Sequence, residues 1–284
     1  MSVIRIFHWN VLSGTFDNSK YFANRENGIL DSNRRYPLIL KKIDEEINKG
    51  AIFSLVEVED SLFYCSILPR FQDNSYHAIY VENNFNQGIV FACPSSFVIR
   101  HYEIVKISDL SAQYEIYTKS WNLASSRYNR AIMVELQYQG KIVTICNYHM
   151  PCLFFDQNAL AIHTSFLLRA FSTFSKGYPQ ILVGDFNCTK NDLAYNLFFQ
   201  TRDLFVPDLV PFFGEYHKIR HDVGYTTNTA SMNGNFKDEI DHIFYRGDLR
   251  IQMCHCGKLG KNMNEMIPSV DHPSDHLFLI VECV

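Results

Sequence analysis

The chain has 284 residues, of which 47% are hydrophobic, 20% charged and 14% aromatic, with 23 Phe and 16 Tyr. This composition excludes disordered, collagen-like and coiled-coil chains and is ample for a buried core. With 26 Lys+Arg against 30 Asp+Glu the net charge is -4 and the pI near 6.2, so no global basic field advertises nucleic acid, and any polyanion must be gripped locally or through a metal.

In chain order, Val3–Val11 is an apolar run of strand length broken by Arg5, His8 and Asn10. Such a run suits neither a signal-peptide core nor a targeting helix, so an intracellular protein is expected, cytoplasmic rather than nuclear. The irregular stretch Asn10–Asn33 leads to helical spacing over Pro37–Lys49, then to strand runs at Ile52–Val58 and Gly88–Ala92. After a second irregular stretch, Ser108–Asn129, the runs Ile132–Leu136 and Ile142–Asn147 flank Gln139-Gly140, which reads as a hairpin turn. Asp156–Ser175 is helical, with Leu160, Leu167, Phe171 and Phe174 on one face, and Gln180–Gly184 is a strand. Helical spacing over Asp192–Thr201 and a third irregular stretch, Phe205–Asn235, precede the strand runs Ile240–Tyr245 and Leu277–Cys283.

Helices between groups of strands predict a four-layer α/β sandwich, with two mainly antiparallel sheets packed face to face and helices outside. No repeat or linker divides the chain, so residues 1–284 are expected to form a single catalytic domain. No apolar run is long enough to span a membrane, and no protein partner is indicated. The eight cysteines form no CxxC pair and no disulfide spacing, which predicts reduced, mostly buried thiols. Cys254-His255-Cys256 is a weak zinc motif, because alternate residues of a strand turn both cysteines to one face.

Polar residues end or follow several strands: Asn10, Glu57, Asn147-Tyr148-His149, Asp185-Phe186-Asn187, Asp241 and Asp275-His276. Side chains in these places sit at a sheet edge, beside the core but open to solvent, where several strands can converge on one pocket. Carboxylates, amides and histidines without thiolates suit a hard cation such as Mg²⁺, and the matching chemistry is phosphoryl transfer to water.

WNVLSG, SLVE, CNYHM, VGDFN, EIDHIFY and PSDH, in this order across the whole chain, resemble the successive motifs of the endonuclease/exonuclease/phosphatase superfamily of Mg²⁺-dependent phosphoesterases. The resemblance implies that Asn10, Glu57 and Asp275 lie at the metal, with Glu57 the principal ligand although Val56 replaces the usual Gln. It implies that His149 and His276 contact the scissile phosphate, that Asp185 orients or deprotonates the water, that Asn187 bonds the phosphate and that Asp241 orients His276. Mn²⁺ is a possible substitute for Mg²⁺. WNVLSG, Asn33-Arg34-Arg35, GDFNCTKNDLAYNL and HPSDH are similar to the deadenylase-like branch, which holds nocturnin, Angel and the 2'-phosphodiesterase. The branch implies a 3'-5' exoribonuclease acting on single-stranded RNA.

Each residue also has a plainer reading. Asn10, Asp185 and Asn187 could close turns, Glu57 shares an acidic run with Glu59 and Asp60, and a lone His on an apolar run is more often a satisfied core residue. His163, His217, His221, His242 and His272 are placed in that last class. Among loop cations, Arg34, Arg35, Arg127 and Arg130 could clamp phosphates, with Arg35 and Arg130 taken as substrate contacts. Trp121, Tyr128 and Phe213 could stack bases. Two rivals remain: a phosphodiesterase or phosphatase acting on a tyrosyl-DNA adduct, abasic DNA, a nucleotide or a phosphoinositide, and a catalytically silent binding module.

Overall fold

A computed structural model of the chain describes residues 3–15, 22, 28–84, 86–199, 215–231, 234–263 and 265–284. Its elements run β1 (Ile4–Asn10), α1 (Ser32–Ile47), β2 (Ile52–Glu59), α2 (Asp60–Leu62), a π-helical turn (Phe63–Ile67), α3 (Leu68–Asp73), β3 (Tyr76–Asn84), β4 (Gln87–Pro94) and β5 (Val98–Lys106). They continue with α4 (Ile107–Ser111), α5 (Lys119–Ser125), β6 (Arg130–Tyr138), β7 (Lys141–His149), α6 (Gln157–Ser175), β8 (Gln180–Asp185), α7 (Leu193–Leu197) and β9 (His217–Lys218). The last are β10 (Thr227–Ser231), β11 (Gly234–Asp238), β12 (Asp241–Arg246), β13 (Ile251–Gly257) and β14 (Phe278–Cys283). Two units result, one of Met1–Ser96, Arg220–Glu239 and Arg250–Val284, the other of Phe97–Ile219 and Ile240–Leu249.

The first unit holds a six-stranded sheet in the order β13-β14-β1-β2-β4-β3 and the small β10-β11 hairpin; the second holds a six-stranded sheet in the order β5-β6-β7-β8-β12-β9. In each large sheet only the central pair is parallel, β1 with β2 and β7 with β8, and the other pairings are antiparallel. A parallel pair needs a crossover, and the two longest helices, α1 and α6, supply them. The α/β fold expected, with two mainly antiparallel sheets and helical crossovers, is therefore found in the two units.

Sequence accounts for both crossover helices. Asp31 accepts the Asn33 N–H at 2.9 Å and so caps α1 a turn and more before Pro37, where helical spacing alone put the start. Ile39, Ile43 and Ile47, four apart, then join Phe7, Phe53 and Phe278 in the first unit's core. In α6, Leu160, Leu167, Phe171 and Phe174 all enter the second unit's core, as their spacing predicts. No described helix is long and apolar enough to cross a membrane.

Several elements differ from the expectation. The stretch Ser108–Asn129 contains α4 and α5, and Trp121 is core, its indole N–H bonded to the Ser111 carbonyl at 3.0 Å. Trp121 is therefore not a base-stacking residue. Strands β5 and β13 lie at sheet edges with much of their length exposed, so no apolar alternation marks them. In β13, Cys256 is buried while His255 is exposed, the alternation that argued against a zinc site. Phe213, and parts of the stretches Asn10–Asn33, Asp192–Thr201 and Phe205–Asn235, lie outside the described residues.

Two fully buried histidines fix a pH dependence. His163 is bonded to the Tyr148 hydroxyl through Nδ1 and to the Ala124 carbonyl through Nε2; His272 accepts the Leu259 N–H at Nδ1 and bonds the His276 carbonyl through Nε2. Carbonyl acceptors hold each proton on Nε2, leaving Nδ1 as an acceptor and the ring neutral. Burial lowers their pKa values from 6.5 to about 4 and about 3. The unfolded chain therefore binds more protons below pH 6.5, and stability falls as pH falls through the window from 6.5 towards 4. Urea denaturation is expected to show a loss of about 2 kcal/mol per histidine between pH 7 and pH 5, and a flat profile would contradict the assignment.

Candidate active site

Topology gathers the polar strand ends. In the first unit, β1 and β2 run parallel, so Asn10 and Glu57 come to the same end of the sheet, and antiparallel β14 brings the preceding Asp275-His276 to that end. In the second unit the register is stricter. His149 of β7 pairs with Asp185 of β8, and Asp185 pairs with Asp241 of antiparallel β12, so the three stand side by side on adjacent strands.

Glu57 lies where the register of β2 slips against β4, between Val56 and Val58, and its φ of 57° is rare for a residue with a Cβ. The bulge presents a carboxylate fixed at both oxygens: Asn10 Nδ2 donates to Oε1 at 2.9 Å and the Ser13 N–H to Oε2 at 3.1 Å. Asn10 Oδ1 accepts the Leu12 N–H at 3.0 Å, so Asn10 chiefly holds Glu57 in place. Glu59 is engaged elsewhere, accepting the Tyr36 hydroxyl at 2.6 Å.

Asp275 is the strained member of this set. Its Oδ1 is buried without a hydrogen-bond partner, and burial raises its pKa, the nearby Glu57 charge adding to the rise while His276 opposes it. A buried carboxylate oxygen that accepts no hydrogen bond and lies 4.0 Å from His276 Nε2, with a second carboxylate and an amide nearby, is a donor set that fits a hard divalent cation. The backbone around it is heavily tied: the Ser274 hydroxyl donates to the Asn10 carbonyl at 2.6 Å, Thr227 Oγ1 to the Asp275 carbonyl at 2.8 Å and Trp9 Nε1 to the His276 carbonyl at 2.9 Å.

Arg35 was expected to contact substrate, and the structure corrects this. The side chain is 1% exposed, with Nε donating to the Pro273 carbonyl at 2.7 Å and Nη2 to the carbonyls of Val11 and Leu12. It ties the segment after Asn10 to the segment before Asp275, and a guanidinium spent on main-chain carbonyls positions those loops instead of clamping phosphate. Arg130 begins β6, one residue before Ala131, which pairs with Tyr148 next to His149.

In the second unit Asp185 is 1% exposed. Its Oδ1 accepts the Asn187 N–H at 2.9 Å, and His149 Nε2 lies 3.7 Å from Oδ2, in ion-pair range but beyond a direct hydrogen bond. Asn187, at φ 46°, donates from Nδ2 to the Met150 carbonyl at 2.7 Å, locking the turn after β8 onto the end of β7. Asn129 Nδ2 donates to the His149 carbonyl at 2.7 Å; this residue, like Trp9, Ser274 and Thr227, carries no chemistry in the sequence and is found only through its contact. Tyr128 is 55% exposed with Lys106 Nζ 5.3 Å from its ring, and so stays a candidate base contact.

Gly184 has a steric reason. A Cβ there would lie 1.8 Å from the Tyr148 carbonyl oxygen of the neighbouring strand, a backbone atom with nowhere to go. Gly184→Ala is expected to push β7 from β8 and cost roughly 3 kcal/mol or more, read as a fall in Tm of the order of 10 °C; a change within 2 °C would contradict the packing.

Carboxylates, histidines and amides set at one end of each of two mixed sheets are the equipment of a metal-assisted hydrolase of phosphoric esters. The sequence matches the Endonuclease/Exonuclease/phosphatase family over residues 8–276, a match that runs through both units, and the chain belongs to that family of divalent-metal-dependent phosphoric ester hydrolases. No curated protein sequence matches it. Among solved structures it is similar to ANGEL2, described as a 2',3'-cyclic phosphatase and solved with adenosine-2',3'-vanadate, at TM-score 0.78 and 16% identity, covering 99% of this chain and 95% of that one. It is also similar to the human Nocturnin catalytic domain with bound sulfate (TM-score 0.69, 17% identity, coverage 99% and 94%). Truncated TDP2 from Caenorhabditis elegans is a third (TM-score 0.67, 13% identity, coverage 99% and 97%).

Proposed function

We propose that the protein is a Mg²⁺-dependent phosphodiesterase that shortens single-stranded RNA from its 3' end, a 3'-5' exoribonuclease of deadenylase-like type, working in the cytoplasm. The observation that carries this reading is the Asp185 carboxylate, buried, steered by the Asn187 N–H and facing His149 Nε2. Glu57, held by Asn10 and with Asp275 beside it, would hold a divalent cation, whose positive charge would stabilise the phosphate oxygens and the departing one. Asp185 takes the proton of the attacking water. The ring N–H groups of His149 and His276 and the Asn187 amide bond the phosphate oxygens as negative charge builds. Arg130 contacts the phosphate of the next nucleotide.

A second reading has support of its own. ANGEL2 is described as a 2',3'-cyclic phosphatase, and a site that hydrolyses a phosphodiester within a strand has the chemistry to open the cyclic diester that ends one. Two 5'-labelled RNAs of one sequence, ending in a 3'-hydroxyl or a 2',3'-cyclic phosphate, separate the readings. A ladder shortening from the 3'-hydroxyl RNA supports the exoribonuclease. Full-length RNA that merely loses its cyclic phosphate selects the second reading. If neither RNA changes, both readings fall and tyrosyl-DNA adducts, nucleotides and phosphoinositides are next.

A further inference from the structure

Two phenylalanines lie exposed at the tip of a tight turn shortly after His149. Where β7 ends, Met150 is held on both sides, its N–H donating to the Asp185 carbonyl at 2.8 Å and its carbonyl accepting Asn187 Nδ2 at 2.7 Å. Leu153 then enters the second unit's core. The Asp156 N–H returns to the Leu153 carbonyl at 2.9 Å and closes a reverse turn with Phe154 and Phe155 at its two central positions. Gly, Pro, Asn and Asp dominate such positions, yet here the side chains are aromatic and 41% and 77% exposed. Among the described residues Phe155 is the most exposed phenylalanine.

The turn stands on a fixed base. Leu153 anchors one arm in the core, and on the other Asp156 caps α6, its Oδ1 accepting the Ala159 N–H at 3.0 Å. Its Oδ2 accepts the Ser120 hydroxyl of α5, also at 3.0 Å. Both oxygens of that carboxylate are thus engaged, and the tip itself offers ring faces and no charge. Rings on an ordered mount give up little conformational freedom when they bind.

The turn is also close to the site. Phe154 lies four residues past Met150, so it is no more than about 14 Å from the residue bonded to both Asp185 and Asn187. Antiparallel β6 begins at this same end of the sheet, and Tyr128, 55% exposed, precedes the Asn129 that bonds the His149 carbonyl. Exposed aromatic rings therefore occur on both segments that flank this end of the β6–β7 pair.

On the exoribonuclease reading above, on which this inference rests, the bases near the scissile phosphate are unpaired, and an unpaired base stacks on an aromatic ring whatever its identity. We propose that the Phe154-Phe155 turn is a stacking platform for one such base of the substrate strand, with Phe155 as the ring that receives it. Stacking needs no basic field, so it gives a chain of net charge -4 a local grip on a polyanion.

The test uses the full chain carrying Asp185→Asn, so that RNA stays whole in Mg²⁺, and reads the Kd of a 5'-fluorescent oligo(A) by anisotropy. Phe155→Ala is expected to raise Kd about tenfold. Phe155→Leu, which keeps an apolar side chain without a ring face, is expected to lose nearly as much, and Phe155→Trp to restore binding. An oligo(A) with a single abasic nucleotide, placed at successive positions, is expected to reveal one position where the missing base weakens binding about tenfold, with no further loss when Phe155→Ala is also present. Absence of oligo(A) binding, a Kd indifferent to Phe155→Ala, Phe155→Leu binding as tightly as Phe155, or no abasic position coupled to residue 155 would each overturn the proposal. Binding to phosphatidylcholine–phosphatidylserine vesicles, or self-association, that Phe155→Ala abolishes while the RNA Kd stays unchanged would also overturn it, giving the turn to a membrane or to a second copy of the chain. The two readings fail separately. A 3'-end ladder from the wild-type chain with a Kd indifferent to residue 155 removes the platform and keeps the exoribonuclease, whereas Phe155-dependent binding without a ladder keeps the platform and removes the exoribonuclease.

Discussion

Asp185→Asn is expected to lower the rate of phosphodiester hydrolysis by about a thousandfold or more while leaving the fold intact. The replacement keeps the shape, and its Oδ1 can still accept the Asn187 N–H, so the turn that places Asn187 survives. It removes the basic oxygen 3.7 Å from His149 Nε2, and with it both the proton acceptor and the negative charge that faces that ring. A side chain 1% exposed loses no contact with solvent in the exchange and sheds a buried charge, so Tm is expected to hold or rise. Turnover at saturating substrate together with a melting curve checks both halves. Retained turnover would remove Asp185 from the mechanism, and a collapsed melt would make the residue structural.

Glu57→Gln is the second large effect, and its signature separates metal binding from chemistry. The bulge that aims residue 57 is a backbone feature and remains, but an amide is a far poorer partner for a hard cation than a carboxylate. Hydrolysis at fixed Mg²⁺ is expected to fall by about a thousandfold, with part of the loss recovered as Mg²⁺ is raised. Without metal the same change removes one of the charges that push the Asp275 carboxyl up, but it also leaves one of the two donors on residue 57, Asn10 Nδ2 or the Ser13 N–H, without an acceptor, so little net change in stability is expected. Asp275→Asn removes the partnerless buried oxygen's charge directly, and a gain of about 1 kcal/mol in metal-free stability is expected. Thermal unfolding with Mn²⁺ and with EDTA checks this: the wild-type protein gains stability from the metal, and Glu57→Gln gains little. An equal gain in both would take Glu57 out of the metal site.

Many of the candidate site residues stand out in the sequence, because they interrupt or end apolar strands. The parallel pairs β1–β2 and β7–β8 then deliver Asn10 with Glu57, and His149 with Asp185, to common sheet ends. What escaped has a physical pattern. Edge strands such as β5 bury neither face, so they lack the alternation that marks a strand. Arg35 looked like a phosphate clamp because a cation near a loop is ordinarily solvated; its burial against three carbonyls is a tertiary fact no local pattern encodes. Asn129, Thr227 and Trp9 bond the backbone carbonyls of His149, Asp275 and His276, and such contacts have no sequence period. The bulge at Glu57 was likewise silent, since alternation across Val56, Glu57 and Val58 reads as an unbroken strand.

One cleavage series tests metal-dependent hydrolysis through Asp185. A 5'-labelled RNA ending in an oligo(A) tail is incubated with the protein in Mg²⁺, in EDTA and with Asp185→Asn. The expected result is a ladder shortening from the 3' end in Mg²⁺, intact RNA in EDTA and intact RNA with the variant. A ladder that persists in EDTA, or one that Asp185→Asn produces as fast as the wild-type chain, would contradict it.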